Sequence, residues 1–202
     1  MAVIYSGQHT LLPKKAAIKL LHPELSRDNS KLNRFQQEAI TVNELEHPNI
    51  VELTDFAYDP ESQCYYMVQE LLVGSDLQEV IGGAPFKKSW VMKITEQICS
   101  ALSAIHKANL IHRDLKPSNI FLLPNRPPHP LVKILDFGIA KLQKNKDKDA
   151  ESRALPEDTA EVDFIEETIV GTPTHLAPEQ AIKGHHLAHY VDIYSLGVIL
   201  YQ

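Results

Sequence analysis

The residues best suited to chemistry lie in one run, His112-Arg113-Asp114-Leu115-Lys116-Pro117-Ser118-Asn119. Three further signals flank it in a fixed order: Lys19 inside a strand-like segment, Asp136-Phe137-Gly138, and Ala177-Pro178-Glu179. A fixed lysine suits phosphate oxygens, carboxylate and amide oxygens suit Mg²⁺, and a further carboxylate can orient an attacking hydroxyl. Phosphoryl transfer has these requirements, because positioning and charge neutralisation supply most of its catalysis.

The four signals together resemble the eukaryotic-type (Hanks-type) Ser/Thr protein kinases, and the bacterial members most closely. An isolated Asp-Phe-Gly would mean little, whereas the eight-residue run followed by Asp-Phe-Gly and Ala-Pro-Glu is hard to obtain by chance. The similarity spans Met1 to Gln202. It implies a catalytic domain that transfers the γ-phosphoryl group of ATP to Ser and Thr hydroxyls of protein substrates, with ATP and Mg²⁺ as cofactors.

The resemblance also implies a role for each matched residue at the catalytic centre. These roles are Asp114 as the base, Lys116 as the lysine that steadies the γ-phosphate, Asn119 and Asp136 as the Mg²⁺ ligands, and Lys19 as the strand lysine with Glu38 of the first helix as its ion-pair partner. The nucleotide-binding positions that it implies are Gln69 as gatekeeper, Glu70 and Leu72 as hinge backbone, and Asp76 as the ribose contact.

Control of activity is expected to involve Arg113, because an arginine directly before the base pairs in this family with a phosphorylated activation-loop residue. Thr168 is the expected phosphorylation site, with Thr159 and Ser152 as weaker candidates. Thr172 is expected to contact Asp114 and Lys116 as a structural residue. Like the pair Lys116-Pro117, it favours serine and threonine over tyrosine as acceptors.

The elements that must position these residues are predicted from periodicity. Ala16–Leu21 and Cys64–Val68 have the apolar, β-branched or aromatic character of strands. Apolar residues at three- and four-residue steps predict two amphipathic helices, from Leu32 to Leu45 and from Val91 to Ile105. A hairpin is predicted for Ile120–Leu123 and Leu131–Leu135, which flank a proline-rich turn.

The fold class implied is α+β, a bilobal protein-kinase-like fold. Residues 1–71 are expected to form a small antiparallel β lobe with one helix, and residues 72–202 a mainly helical large lobe with an activation segment at 136–179. Val191–Tyr201 is apolar nearly all round, which predicts a helix buried in the middle of that lobe. The polar segment from about 143 to 167 is expected to be a loop.

Composition narrows the class of protein and its surroundings. The net charge of −6 is concentrated between residues 144 and 167, so no nucleic-acid-binding face is expected. No apolar run is long enough for a membrane span. Cys64 and Cys99 lie in apolar patterns and are expected to be buried free thiols of a reducing compartment, which indicates a cytoplasmic location. The sequence leaves a homodimer open.

The chain resembles a kinase truncated at both ends, because the start of the glycine-rich loop and the last helices of the large lobe have no counterpart in it. Two hypotheses follow. The chain belongs to a longer active kinase, or it is a truncated, catalytically impaired fragment that binds nucleotide or partner proteins. A small-molecule phosphotransferase is a more distant alternative, since it would not be expected to retain Leu115-Lys116-Pro117 together with Ala177-Pro178-Glu179.

Overall fold

The computed structural model describes residues 3–21, 29–83, 85–124, 129–136, 174–182 and 187–202. Within the first helix, the side chains of residues 29–31, 34, 35 and 38 are not among those described. The expected loop at 143–167 and most of the activation segment lie outside the described residues.

Four antiparallel strands form the first sheet, in the order β1-β2-β4-β3. They are β1 (Val3–Gln8), β2 (Lys15–Leu20), β3 (Leu53–Asp59) and β4 (Cys64–Glu70). Helix α1 (Asn29–Glu44) connects β2 to β3. Its apolar residues recur at three- and four-residue steps, and Leu32, Ala39 and Val42 among them are buried.

The second part of the molecule is mainly helical and contains a three-stranded sheet, β5-β6-β7. Its elements are β5 (Ser75–Asp76), α2 (Leu77–Val80), α3 (Lys88–Lys107), β6 (Ile120–Leu123), β7 (Leu131–Ile134) and α4 (Tyr190–Tyr201). Short 3₁₀ turns occur at Pro117–Asn119 and Pro178–Ala181. The hairpin that was predicted around the proline-rich turn is confirmed by the antiparallel pairing of β6 with β7.

The larger hydrophobic core lies between α3 and the β6–β7 hairpin. The predicted stripe on α3 supplies Ile94, Ile98, Leu102 and Ile105, each no more than 4% exposed. The first sheet has a much smaller cluster of its own, in which Leu21 and Met67 are the buried members. Hydrophobic packing is therefore more extensive around the run His112–Asn119 than beneath the first sheet.

The segment after α1 joins the two parts through the main chain. Ile50 forms a parallel bridge with Ile134 of β7. Val51 N donates to Ile134 O at 3.0 Å, and Ile134 N donates to Asn49 O at 2.8 Å. The expected α+β, bilobal arrangement of a small antiparallel lobe with one helix and a mainly helical lobe is confirmed.

Two expectations about burial were wrong in part. Helix α4 buries Val191, Leu196 and Ile199 on one face, whereas Ile193 is 54% exposed on the other. No described element covers that second face, so the helix is not buried all round. Both cysteines are free thiols, but only Cys64 is buried, because Cys99 faces outward from α3. None of the helices in the described ranges combines the length and apolar character needed to cross a bilayer.

Candidate active site

The loop between α3 and β6 holds the Asp114 carboxylate between two nitrogen donors. Lys116 Nζ lies 3.0 Å from Asp114 Oδ2, and Asn119 Nδ2 lies 3.2 Å from the same oxygen. Asn119 Nδ2 also donates to the backbone carbonyl of Asp114 at 2.8 Å. Asn119 is buried in the 3₁₀ turn, whereas the Lys116 side chain is 41% exposed. The buried Asn119 thus fixes the position of the Asp114 carboxylate, and the partly exposed Lys116 balances its charge.

A second charge pair connects the two lobes. Lys19 of β2 forms an ion pair with Asp136 Oδ1, although the two residues are 117 positions apart in sequence. The Lys19 side chain is 15% exposed. Asp136 follows β7 in a left-handed backbone conformation, with φ of 41°, which is uncommon for a residue other than glycine. This ion pair joins the first sheet to the end of the β6–β7 hairpin.

His112 supports the loop from within and is completely buried. Its Nε2 donates to the carbonyl of Leu135 at 2.9 Å, and its Nδ1 accepts from Asp114 N at 3.3 Å. Burial lowers the pKa of His112, and the hydrogen bond to Leu135 and the charge of Asp192 oppose that shift only in part. The imidazole is therefore neutral with its proton on Nε2, and both nitrogens are engaged with the backbone rather than with proton transfer.

Asp192, at the start of α4, fixes the backbone on either side of His112. This carboxylate is 1% exposed. Its Oδ2 accepts from His112 N at 2.9 Å and from His106 Nε2 at 2.7 Å, and its Oδ1 accepts from Arg113 N at 2.9 Å. A buried carboxylate requires such partners, because an unpaired buried charge is strongly destabilising.

The positions expected to bind nucleotide lie at the end of β4 and just beyond it. Gln69 and Glu70 close β4, and Leu72 lies in the linker that follows. Lys133 Nζ of β7 lies 2.5 Å from Glu70 Oε1, so the carboxylate is engaged by the other lobe. Asp76 is the N-cap of α2, where its Oδ1 accepts from Glu79 N at 2.9 Å.

Several expected functional residues are placed only in part. Glu38 lies on α1, but its side chain is not described, and Thr168 and Thr172 lie outside the described residues. Arg113 is described and has a left-handed backbone with φ of 65°. Its Nε is buried and has no hydrogen-bond partner within the described part of the chain.

Sequence reasoning did not identify Asp192 or Lys133 as residues that position the site. Asp192 carried a usable signal, since it is the one carboxylate within the apolar run Val191–Tyr201. A charge in such a run indicates a buried group with specific partners. Lys133 carried no comparable signal, because a lysine inside a short strand most often faces solvent.

Comparison with known proteins matches this arrangement to one family. The protein kinase domain matches residues 1–202. The chain is 39% identical over its full length to the serine/threonine-protein kinase Pkn1 of Myxococcus xanthus, and covers 27% of that protein. It is 33% identical over its full length to the serine/threonine-protein kinase PrkC of Bacillus subtilis, and covers 28% of it. The chain thus spans only about a quarter of the length of these two curated relatives.

Solved structures agree at the level of the fold. The kinase domain of Mycobacterium tuberculosis PknI superposes with a TM-score of 0.70 at 24% identity, over 99% of this chain and 67% of that one. The bacterial character that the sequence motifs indicated is confirmed by the curated relatives. Because the protein kinase domain matches its entire length, the chain belongs to the protein kinase family.

Proposed function

We propose that this chain forms the catalytic region of a protein serine/threonine kinase that transfers the γ-phosphoryl group of ATP to protein hydroxyls. The observation that carries the proposal is a pair of neighbouring charge clusters. In one, Lys116 and Asn119 hold the Asp114 carboxylate, and the other is the Lys19–Asp136 pair. They are adjacent because Leu135, which precedes Asp136, donates its N–H to Asn119 O at 2.8 Å. The first cluster is formed within one loop, whereas the second joins two residues 117 positions apart in sequence.

Asp114 is the proposed base. In the transfer, the hydroxyl oxygen of a substrate serine or threonine forms a bond to the γ-phosphorus while the bond to the bridging β,γ-oxygen breaks, and ADP leaves. The hydroxyl proton passes to a carboxylate oxygen of Asp114. Lys116 keeps a positive charge beside that carboxylate, where it would also bind the γ-phosphate oxygens. His112 takes no proton in this scheme, because both of its nitrogens are bonded to the backbone.

Asn119 and Asp136 are the proposed Mg²⁺ ligands, and the residues present fit that role. Asn119 uses its amide nitrogen on Asp114, which leaves its amide oxygen as the atom able to bind a cation. Asp136 adds a carboxylate, and Mg²⁺ in such sites takes few protein oxygens together with substrate phosphates. The metal would neutralise charge that develops on the phosphates.

ATP binding is proposed to use the linker between the lobes, 1–71 and 72–202. On the family resemblance, the backbone groups of Glu70 and Leu72 are the proposed contacts to adenine, with Gln69 as the gatekeeper. The Glu70 carboxylate is instead engaged by Lys133. Asp76 is the proposed ribose contact, through the oxygen that does not cap α2. Lys19 is the proposed phosphate-binding lysine, with Glu38 as a second acidic partner.

Arg113 is proposed to bind a phosphate group on Thr168 of the activation segment, 136–179. The buried Nε of Arg113 supports this, since it has no hydrogen-bond partner among the described residues and a guanidinium donor of this kind is suited to an arriving anion. Thr172 is proposed as a structural contact to Asp114 and Lys116. Each of these regulatory roles predicts an effect on turnover rather than on nucleotide binding.

The test compares the full-length protein with its Asp114→Asn and Asp136→Asn variants, using radiolabelled ATP, Mg²⁺ and a generic protein substrate. We expect each variant to lose at least about 10²-fold in phosphate transfer, because a base or a metal ligand is removed. Asp55→Asn, on the exposed edge of β3, is the matched control and should keep normal activity. Label on phosphoserine and phosphothreonine is expected.

Two outcomes would contradict the proposal. Transfer that survives both Asp114→Asn and Asp136→Asn would exclude the mechanism. ATP binding by the wild-type protein without phosphate transfer would favour a catalytically impaired nucleotide-binding protein instead.

A further inference from the structure

The backbone at Arg113 adopts a conformation that few residues other than glycine adopt. Its φ of 65° lies in the left-handed region, where the Cβ atom crowds the backbone. Such a conformation persists only where neighbouring groups determine it from several sides. Arg113 directly precedes Asp114, so whatever holds this conformation also sets the direction from which Asp114 projects.

Two side chains hold the two backbone polar groups of Arg113. Its N–H donates to Asp192 Oδ1 at 2.9 Å, and its carbonyl accepts from Gln180 Nε2 at 2.9 Å. Asp192 belongs to α4, whereas Gln180 lies in the 3₁₀ turn Pro178–Ala181. The residue is therefore fixed between two separate elements of the large lobe.

The orientation of the Gln180 amide follows from its partners. The Arg113 carbonyl can only accept a hydrogen bond, so it must meet the amide nitrogen. The backbone N–H of Ala177 can only donate, and it lies 3.0 Å from Gln180 Oε1. The Gln180 side chain thus connects two segments. Its Oε1 binds Ala177 at the start of the turn, and its Nε2 binds Arg113 in the loop that carries Asp114.

The peptide unit between Arg113 and Asp114 is held at both of its polar atoms. Gln180 holds the carbonyl oxygen, and His112 Nδ1 accepts from Asp114 N at 3.3 Å. Because a peptide unit is planar, fixing both atoms fixes the plane and hence the direction of the bond to the Asp114 Cα. Rotation of this plane would move the Asp114 carboxylate away from Lys116.

We infer that Gln180 is a positioning residue for Asp114, and that it couples the Ala177–Ala181 turn to the geometry of the proposed base. The inference rests on the proposed function and deepens it. Gln180 does not touch the reacting atoms. It acts on turnover through one peptide plane, and displacement of its turn releases that plane.

The sharpest variant is Gln180→Glu, which keeps the shape of the side chain and the acceptor for Ala177 N. It replaces the donor to Arg113 O with a second acceptor, so only that contact becomes repulsive. We expect kcat to fall about 10- to 100-fold while the KM for ATP changes little, since the loss of one hydrogen bond that sets the direction of Asp114 has an effect of this size. Gln180→Met, which removes both contacts without adding charge, is expected to lower kcat in the same direction.

Gln63→Glu is the matched control, because Gln63 is exposed in the β3–β4 turn at the end of β4 that is remote from the linker. It should leave kcat unchanged. A second readout does not depend on activity. Amide hydrogen exchange of peptides that cover residues 112–119 should become faster in Gln180→Glu and Gln180→Met, and stay unchanged in Gln63→Glu.

The outcomes separate this inference from the proposed function. Wild-type activity that Asp114→Asn abolishes, together with unchanged kcat and exchange in both Gln180 variants, would overturn the positioning role alone. A parallel loss of kcat, ATP binding and melting temperature in both Gln180 variants would also overturn it, since that pattern indicates a general structural role. Absence of transfer by the wild-type protein would remove the proposed function and, with it, the catalytic meaning of faster exchange.

Discussion

His112 shows how burial gives a titratable residue a purely structural use. Its two nitrogens bond to Leu135 O and Asp114 N, and this pattern requires the neutral imidazole. Burial lowers its pKa, so the folded chain keeps His112 neutral to a lower pH than the unfolded chain does. Just below its ordinary pKa of 6.5, the unfolded state therefore binds more protons than the folded state.

We therefore predict that acidification destabilises the protein through His112. Its contribution to stability is fully present above pH 6.5 and is lost as the pH falls towards the lowered folded pKa. Urea unfolding from about pH 8 to about pH 5.5 measures this dependence. In His112→Gln, whose amide can donate to Leu135 O but does not titrate, the curve should be flatter, with a loss of about 1–3 kcal/mol at the higher pH.

His47 is a second histidine whose pKa is lowered, by burial and by the nearby charge of Lys133. It contributes to the wild-type curve in the same direction and is unchanged in His112→Gln. The difference between the two proteins thus isolates His112. An equally steep pH dependence in both would contradict the assignment.

At the residue scale, the motifs predicted which residues lie at the candidate active site, because phosphoryl transfer restricts the side chains that suit each position. The structure brings Lys116 and Asn119 to Asp114, and Lys19 to Asp136. Their roles stay predictions. The contacts of Gln180 and Asp192 were not predictable, since they depend on how two distant elements approach one loop.

Gly74 illustrates a constraint at the scale of elements. It lies in the linker between β4 and β5, where a Cβ atom would come within 2.1 Å of the carbonyl oxygen of Leu122 in β6. A backbone atom cannot move aside as the end of a flexible side chain can. The glycine is thus required by the close approach of the linker to the second sheet.

We predict that Gly74→Ala destabilises the protein by about 1–3 kcal/mol, since the linker and β6 must separate to relieve the contact. Gly83→Ala is the matched control, because its new Cβ would lie 3.7 Å from the nearest atom, at an ordinary contact distance. Thermal unfolding of both variants measures the difference. Equal melting temperatures for the two would show that the linker is free to shift.

Helices and the hairpin were predictable from periodicity, because their burial follows the positions of apolar residues along the chain. The stripe on α3 is the clearest example. Helix α4 was predictable as a helix but not in its exposure, since hydrophobic character does not say which faces find a partner. The strand β5 (Ser75–Asp76) is too short for any periodic pattern and is defined only by its pairing with β6.

At the scale of the whole molecule, one ion pair and one loop join the lobes near the linker. Lys133 Nζ contacts Glu70 Oε1 and also donates to Ile50 O at 3.1 Å, and the lysine side chain is 12% exposed. Asn49 Nδ2 donates to Val132 O at 2.9 Å and to Gln97 Oε1 at 3.0 Å. These contacts attach the end of β4 and the segment between α1 and β3 to β7 and α3.

We predict that Lys133 and Glu70 are energetically coupled. In a double-mutant cycle of Lys133→Met and Glu70→Gln, the free energy of unfolding should show a coupling of about 1–3 kcal/mol, because the pair is largely shielded from water. The exposed pair Lys93–Glu96 on α3 is the matched control, with side chains 55% and 66% exposed. Its coupling should be below about 0.5 kcal/mol, and comparable values for the two pairs would contradict the prediction.

The bilobal arrangement followed from the family resemblance rather than from any physical pattern in the sequence. Hydrophobic periodicity predicts elements one at a time, and nothing in it indicates that Ile50 pairs with Ile134. Contacts of this kind depend on loop lengths and on the packing of several elements at once. They therefore lay beyond what the residues alone could establish.

The bridge from Asn49–Val51 to β7 can form only after both segments have been synthesised at the ribosome. Ile50 and its partner Lys133 are 83 positions apart, so at about 5–20 residues per second the partner is made roughly 4–17 s later. During that interval, among the described residues, the nascent first sheet has the small cluster around Leu21 and Met67 as its core. The rate of translation between the two segments thus sets how long the nascent first sheet lacks its main-chain connection to β7.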